Sequence, residues 1–532
     1  MHRTHTHTNK SGTSKMSKLL LCLIFVVYFT LSKCDENGYC TSVAEQLMCF
    51  KTTQDHTKKG DPLTTVQGQP IGDISNSKTV GKRGPVLLED ALLLKETAQF
   101  NRERIPARVV HGKGAGAHGQ LSISSNFLEK YSKAAVFRNG SSNPVFVRFS
   151  QATSEPGTPD TVPNLRGFAV KVKTDEGIWD LVGNNMPVFI GRDGRLFTSI
   201  THSQLRNPRT HINDRNMAWD LLSLRNESTL FVLYSHSDLS TPKSYRHMPG
   251  FGVHTFRLVN DEGDHFFARF NWKTDQGIKN LTMQEALKLT AQNADYYVQD
   301  LYEAIAQGKY PTWTLTVQVL TPKQAKGLHF NAFDATKVWF TDEIPEHEVG
   351  KLTLNRNQDN YFAEVEQSAF DPANMPPGIE PSPDKLLQAR LFSYLDAQYY
   401  RLGINFNQLP VNRPVNKVIA NSYRDGFMVY ENSGGMPNYN PNSFMKASAI
   451  PRYKDSAYRL GSDVVDRHEQ PNDNFFQATK LYESFAETDK AHLAENLAAD
   501  LKRVFPFIRQ RALLNLKAVS TDLEQRVQQM LN

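Results

Sequence analysis

Between residues 105 and 350 the chain is punctuated by short apolar runs that alternate with period two, and this pattern limits the fold more than any other feature. "ARVVH", "PVFVRFS", "RGFAVKVKT", "MPVFI", "HTFRLVN", "HFFARFNWK" and "TWTLTVQVL" have strand length, and turns such as "NDEGD" separate them. Alternation turns one side of each strand toward a core. A succession of such strands predicts a mostly antiparallel sheet closed as a barrel. One helical insertion is expected at 282–308, "TMQEALKLTAQNADYYVQDLYEAIAQG". Residues 35–104 form an N-terminal arm, polar and extended as far as about 80. A wrapping segment at 351–470 includes "DPANMPPGIEPSP" (371–383), whose five prolines demand an extended path. The tail, 471–532, reads as amphipathic helix. The class is therefore α+β, a barrel with an arm, a wrapping segment and a C-terminal helical domain.

A net charge of +6 without any lysine- or arginine-dense run gives no nucleic-acid or membrane-surface signal, and neither partner is expected. At the N-terminus Lys15 and Lys18 precede thirteen apolar residues, 19–31. That run is short of the ~20 needed to span a bilayer but suits a secretory signal. Cleavage is expected after Ser32 or Cys34, and Met16 is an alternative start, so 1–34 is read as signal peptide with an upstream extension. All four cysteines (22, 34, 40, 49) lie in this end of the chain. Cys40 and Cys49 either pair in an oxidising compartment or remain thiols in an arm, and both readings stand. Sequons begin at Asn139, Asn226 and Asn280. Together these features lead us to expect a secreted glycoprotein.

Chemistry enters with "RLFSYLDAQ", 390–398. Ser382-Pro383-Asp384 is expected to start a helix, with Ser382 as N-cap, and Gly403 to end it. Arg390 and Tyr394 then stack on one face, guanidinium against phenol oxygen. Such a cation favours the phenolate, which is a metal ligand. In "RIPARVVHGKGAGAHG" His111 precedes a run of small residues that lets something large and flat approach the backbone. Taken alone, such a histidine is more often structural. In "NPVFVRFSQ" Arg148 and Ser150 share one face; in isolation a solvent-facing arginine on an edge strand is the better reading. In "WDLVGNNMPVFI" the two asparagines suit a tight turn or an amide donor aimed into a pocket.

As a set, "RVVHGKGAGA", "VRFS", "LRGFAVKVKT", "WDLVGNNMPVFI", "HSQLRNPRTH", "KTDQGIKNL" and the long run from "YFAEVEQSAFDP" to "YYRLG" resemble the monofunctional haem catalases. The likeness extends from about residue 58 to the C-terminus and has the small-subunit form. It implies haem b as cofactor, hydrogen peroxide as substrate, disproportionation to water and dioxygen, and a homotetramer. By position it implies Tyr394 as the iron ligand, a ligand type brought by the family and not deduced from spacing, with Arg390 keeping it ionised. His111 matches the distal base, Asn184 the distal amide and Ser150 the hydroxyl that orients the histidine. Arg108, Arg148 and Arg401 match the cations that hold haem propionates. Val110, Phe189 and Phe197 match pocket walls, and His254 with Asp384 a relay behind Arg390.

Departures from that pattern cluster where NADPH-binding members carry polar or basic contacts. Here those positions read Leu230, Leu239, Pro249 and Thr341; Leu239 replaces an arginine suited to a phosphate. Tyr234, Ser237 and Lys273 remain compatible, but weak or absent NADPH binding is expected. Ala107 replaces an acidic or amide residue beside Arg108. Two rivals share the resemblance: a haem enzyme acting on fatty-acid hydroperoxides, against which Val110 counts, and a non-catalytic haem-binding protein.

Overall fold

The computed structural model describes residues 40–54, 60–458, 462, 464–468 and 473–532. The apolar run at 19–31, Cys22 and Cys34 lie outside these. Contacts divide the chain into two compact units, Met1–Glu103 with Tyr302–Lys309, and Arg104–Leu301 with Tyr310–Asn532. In the first unit, helix Gln46–Thr53 interrupts the stretch that reads in sequence as extended, and a second helix, Ala91–Phe100, follows it. Cys40 and Cys49 are joined as a disulfide with Cα atoms 5.9 Å apart, an ordinary separation for such a bridge.

The second unit is built on ten strands: β1 Gly114–Ile123, β2 Ser142–Gln151, β3 Arg166–Thr174, β4 Gly177–Asn184, β5 Gly250–Phe251, β6 Phe256–Val259, β7 His265–Thr274, β8 Thr312–Leu320, β9 His347–Arg356 and β10 Ile379–Pro381. All pairings are antiparallel, in the order β10-β6-β7-β5-β4-β3-β2-β1-β9-β8. An additional β7–β8 ladder closes the ring. Eight strands thus form a barrel; β5 and β6 share one edge of β7, and β10 extends from β6. Alternating inward residues fill the barrel with aromatic rings. Phe149 lies 5.0 Å from Tyr245 and 5.7 Å from Trp313, and Phe168 packs edge-on to Trp313 at 5.5 Å. The α+β barrel expected from period-two runs is present.

Several local expectations change. "ARVVH" and "MPVFI" are not strands. The first is irregular because His111 takes a left-handed backbone (φ 64°), and the second leaves the sheet at the end of β4. A strand absent from the sequence reading, β1, runs through "GAGAHGQLSI". Arg148 does not sit on an edge: β2 lies between β1 and β3, and the residue is 3% exposed. The 282–308 insertion is two helices, Met283–Gln292 and Tyr296–Ala306. Three further helices, Phe197–Gln204, Arg215–Leu224 and Thr229–His236, occupy the connection between β4 and β5. They share one buried cluster with the C-terminal helices Phe476–Ser484, Glu487–Leu501, Pro506–Val519 and Thr521–Leu531. Among the described residues no helix is long and apolar enough to cross a membrane.

Candidate active site

The helix Lys385–Leu402 carries Arg390, Tyr394 and Arg401. Its N-cap is Asp384 and not Ser382: one carboxylate oxygen accepts from the backbone N–H of Leu386 and Leu387 (2.9 and 3.0 Å), satisfying donors that a helix start leaves open. Ser382 instead donates its hydroxyl to Thr255 O and accepts from the Asp384 N–H. Gly403 ends the helix with φ 94°, as expected. One turn apart, Arg390 Nη2 donates to the Tyr394 oxygen at 2.7 Å and to Val182 O at 3.1 Å. The second contact ties the pair to β4.

Behind this pair, the other Asp384 oxygen accepts from His254 Nδ1 at 2.6 Å. Burial disfavours both charges. The charge and hydrogen bond of His254, with the backbone N–H of Leu387, nevertheless hold Asp384 below the usual carboxylate range, whereas burial depresses His254. His254 is delivered by a three-residue turn in which its own N–H donates to Gly252 O at 2.6 Å. Val253 at the centre has φ 63°, a costly conformation for a β-branched residue.

His111 faces the same cavity as Tyr394. Its Nδ1 lies 2.8 Å from Ser150 Oγ and its N–H donates to Ala152 O. Burial, then the charges of Arg148, Arg390 and Arg108, push its pKa down to about 3, so the ring is neutral at physiological pH. Asn184, the last residue of β4, lines the cavity. Adjacent Asn185 has a structural task, accepting from Arg166 N–H and donating to Leu239 O. Val110, Phe189 and Phe197 also line the cavity, the two rings stacked 6.2 Å apart. The cavity between these walls has a volume of about 80 Å³.

Arg108, Arg148 and Arg401 form a buried cationic cluster. Arg108 Nη2 donates to the carbonyls of Glu366 and Ser368 (both 2.8 Å); Arg401 donates to the same two carbonyls. Burial and mutual repulsion drive Arg108 well below its ordinary pKa, and burial pushes Arg401 down to about 10. Among the described residues, Glu366 is the carboxylate in range of Arg108 and Arg401, at 3.4 and 4.0 Å. Three cations against one anion leave a surplus, and Arg148 Nε is buried without a hydrogen-bond partner. Two carboxylates would balance the cluster. Haem supplies two, and Tyr394 supplies an oxygen for its iron; the residues present fit the group.

Of the residues expected in the site, Val110, His111, Asn184, Phe189, Phe197, His254, Arg390 and Tyr394 line one cavity, and Ser150 and Asp384 bond to two of them. Three contributors were missed. At Gly167 an added Cβ would stand 2.4 Å from Ser150 Oγ and 2.8 Å from His111 Nδ1, so only glycine leaves room for that pair. At Gly114 it would stand 2.8 Å from the Arg148 guanidinium. The small residues after His111 thus admit an arginine. Glu366, which gathers the arginines, lies in a π-helical turn, Phe362–Glu366, a form frequent at functional sites and visible in the sequence only as "YFAEVEQS".

A tyrosine–guanidinium pair on a helix, a neutral histidine and a carboxamide at the end of a barrel strand, gathered around one cavity, fit an oxidoreductase site of the haem-enzyme class. A family described as Catalase matches residues 64–446, and one described as Catalase-related immune-responsive matches 468–531. A catalase from Glandirana rugosa is 49% identical over 92% of this chain and 93% of its own length; one from Danio rerio is 50% identical over 90% and 91%. The crystal structure of a fungal catalase superposes with a TM-score of 0.86 at 39% identity, covering 90% of this chain and 99% of that one. The chain belongs to the catalase family, whose members use haem iron to decompose hydrogen peroxide.

Proposed function

We propose that this is a secreted catalase that disproportionates hydrogen peroxide outside the cell and so limits oxidative damage, with His111 and Asn184 as its catalytic pair and Tyr394 as its iron ligand. The observation that carries the reading is the convergence of the Arg390–Tyr394 pair and the Ser150-oriented His111 on one cavity. When bound, haem b supplies the redox exchange that turns two peroxide molecules into water and dioxygen. Arg108, Arg148 and Arg401 receive its carboxylates. Ser150 occupies Nδ1 of His111, so the neutral ring offers its other nitrogen to take a proton from one peroxide oxygen and return it to the second. The Asn184 carboxamide steadies the oxygen that accumulates charge, without titrating. Val110, Phe189 and Phe197 exclude bulk water.

The disulfide Cys40–Cys49 and the exposed sequon asparagines Asn139 and Asn226 support passage through an oxidising, glycosylating compartment. Weak NADPH binding is supported by a cavity in which Leu239 and Thr341 take the place of a phosphate-binding cation and a histidine. Leu230 is locked in the helical core, and Lys273 is paired with Glu346 at 2.8 Å. The protein assembles as a homotetramer.

Expression in secreting cells tests the whole reading. Medium should contain a glycosidase-sensitive, haem-absorbing protein that evolves dioxygen from peroxide and sediments as a tetramer. Tyr394→Phe should lose both haem and rate. Intracellular retention would overturn secretion. A haem spectrum without dioxygen release would favour the lipid-hydroperoxide or non-catalytic reading, and an unaltered Tyr394→Phe enzyme would remove the ligand assignment.

A further inference from the structure

His118 belongs to no part of the site described above, yet it is bound to the segment that organises the cationic cluster. In β1 its Nε2 donates to Glu364 Oε2 at 2.5 Å, and its ring packs on Phe146 with centroids 4.9 Å apart. The register between β1 and β9 shifts between His118 and Gly119. A bulge of this kind re-aims a side chain. The other Glu364 oxygen accepts from the N–H of Asp359 and Asn360 (2.8 and 3.2 Å), which fixes the entrance to the π-helical turn. That turn is fastened to β1 twice more: Tyr361 donates its hydroxyl to Gly114 O at 2.8 Å, and the Val365 side chain sits against Gly116, where an added Cβ would stand 3.1 Å from it.

The far side of the same turn presents the carbonyls that hold the arginines. Val365 O and Glu366 O accept from Arg108, and Glu366 O accepts from Arg401. Only Val365 separates Glu364, gripped by His118, from Glu366, whose carboxylate lies beside Arg108. A shift of the turn therefore moves the two guanidiniums with it.

We propose that His118 and Glu364 act as positioning residues for the cofactor: their hydrogen bond clamps the Phe362–Glu366 turn to β1 and so sets the aim of Arg108 and Arg401. The inference rests on the reading that these arginines receive the haem carboxylates. Each clamp residue is half-buried, with side-chain exposures of 19% and 18%, so the bond is sheltered without being remote from solvent.

Haem release from the holoenzyme to an excess of a haem-scavenging protein tests it, followed by the loss of Soret absorbance alongside thermal unfolding. His118→Leu, which keeps bulk and removes the donor, should release haem about tenfold faster, the loss expected for a hydrogen bond to a charged group. His118→Gln, which keeps a donor, should restore most of the retention. Glu364→Gln, read in the same way, covers the case in which His118→Leu does not fold, and should also speed release. Arg108→Ala is measured beside them. Faster release from Arg108→Ala with unchanged release from His118→Leu and Glu364→Gln would overturn the clamp and leave the arginine reading standing. Unchanged release from all three would remove the arginine reading itself. Equal acceleration by His118→Leu and His118→Gln would assign the effect to packing and overturn the clamp as well.

Discussion

At Gly167 the requirement is for an absent atom. The Cβ of Gly167→Ala would press on Ser150 Oγ and His111 Nδ1, and the hydroxyl is the group free to rotate away. The imidazole then loses its fixed orientation. We expect dioxygen evolution to fall by about 10–100-fold while stability falls by roughly 1–3 kcal/mol, the usual cost of overpacking; steady-state rates and thermal melts on one preparation separate the two. Ser150→Ala should share the kinetic loss without the strain. An unchanged rate in both variants would remove Ser150 from the site. Residues such as Arg390 and Tyr394 were legible because their partnership is four positions long and local. Gly167 was not, since nothing in its neighbours tells that Ser150 and His111 converge on it from elsewhere in the chain. Arg108 presents the same difficulty: the carbonyls it binds lie more than 250 positions away.

Among the elements, the Tyr394 helix shows how one side chain joins local and tertiary structure. Asp384 caps the helix with one oxygen and binds His254 with the other. Asp384→Ala removes a cap worth about 1 kcal/mol and leaves a buried imidazole N–H unsatisfied at about 1–3 kcal/mol. Asp384→Asn keeps an acceptor for the cap and should lose less. Urea unfolding curves should rank wild type above Asn above Ala; equal midpoints for the two variants would show that the His254 contact, not the cap, carries the effect. The proline-rich approach and Gly403 made this helix readable from its ends, but the capping role passed to Asp384 because Ser382 is drawn to Thr255 O. β1 was hidden for the opposite reason. Its "GAGA" has little β propensity, and its place is secured by ladders to β2 and β9.

For the molecule as a whole, the joint between the C-terminal helices and those at 197–236 has an electrostatic pin. Asp500 accepts from Trp219 Nε1 at 2.9 Å, from Arg215 Nε at 2.7 Å and from His236 Nε2 at 3.3 Å. Burial opposes its charge, but the hydrogen bonds from His236 and Arg215 outweigh burial and hold the carboxyl well below the usual range. A depressed folded-state pKa contributes stability that is fully present above the unfolded value near ~4 and is lost as pH falls through the folded value. Asp500→Asn should cost roughly 3–5 kcal/mol at pH 7, and that gap should narrow below about pH 4. Denaturant unfolding of both proteins at pH 7, 4 and 3 measures it; a gap independent of pH would refute the pin. The barrel class was legible from alternation alone, whereas closure by β7 and β8 and the shared helical core depend on contacts that no local pattern announces.

The excess of guanidinium over carboxylate around Glu366 has a consequence for how the protein matures. On the reading that these arginines receive the carboxylates of the prosthetic group, a chain that closes its barrel first buries repulsion it cannot relieve, and loading and final compaction are expected to be one event. Cells starved of the porphyrin should accumulate a loosened, protease-sensitive polypeptide in place of an intact empty shell.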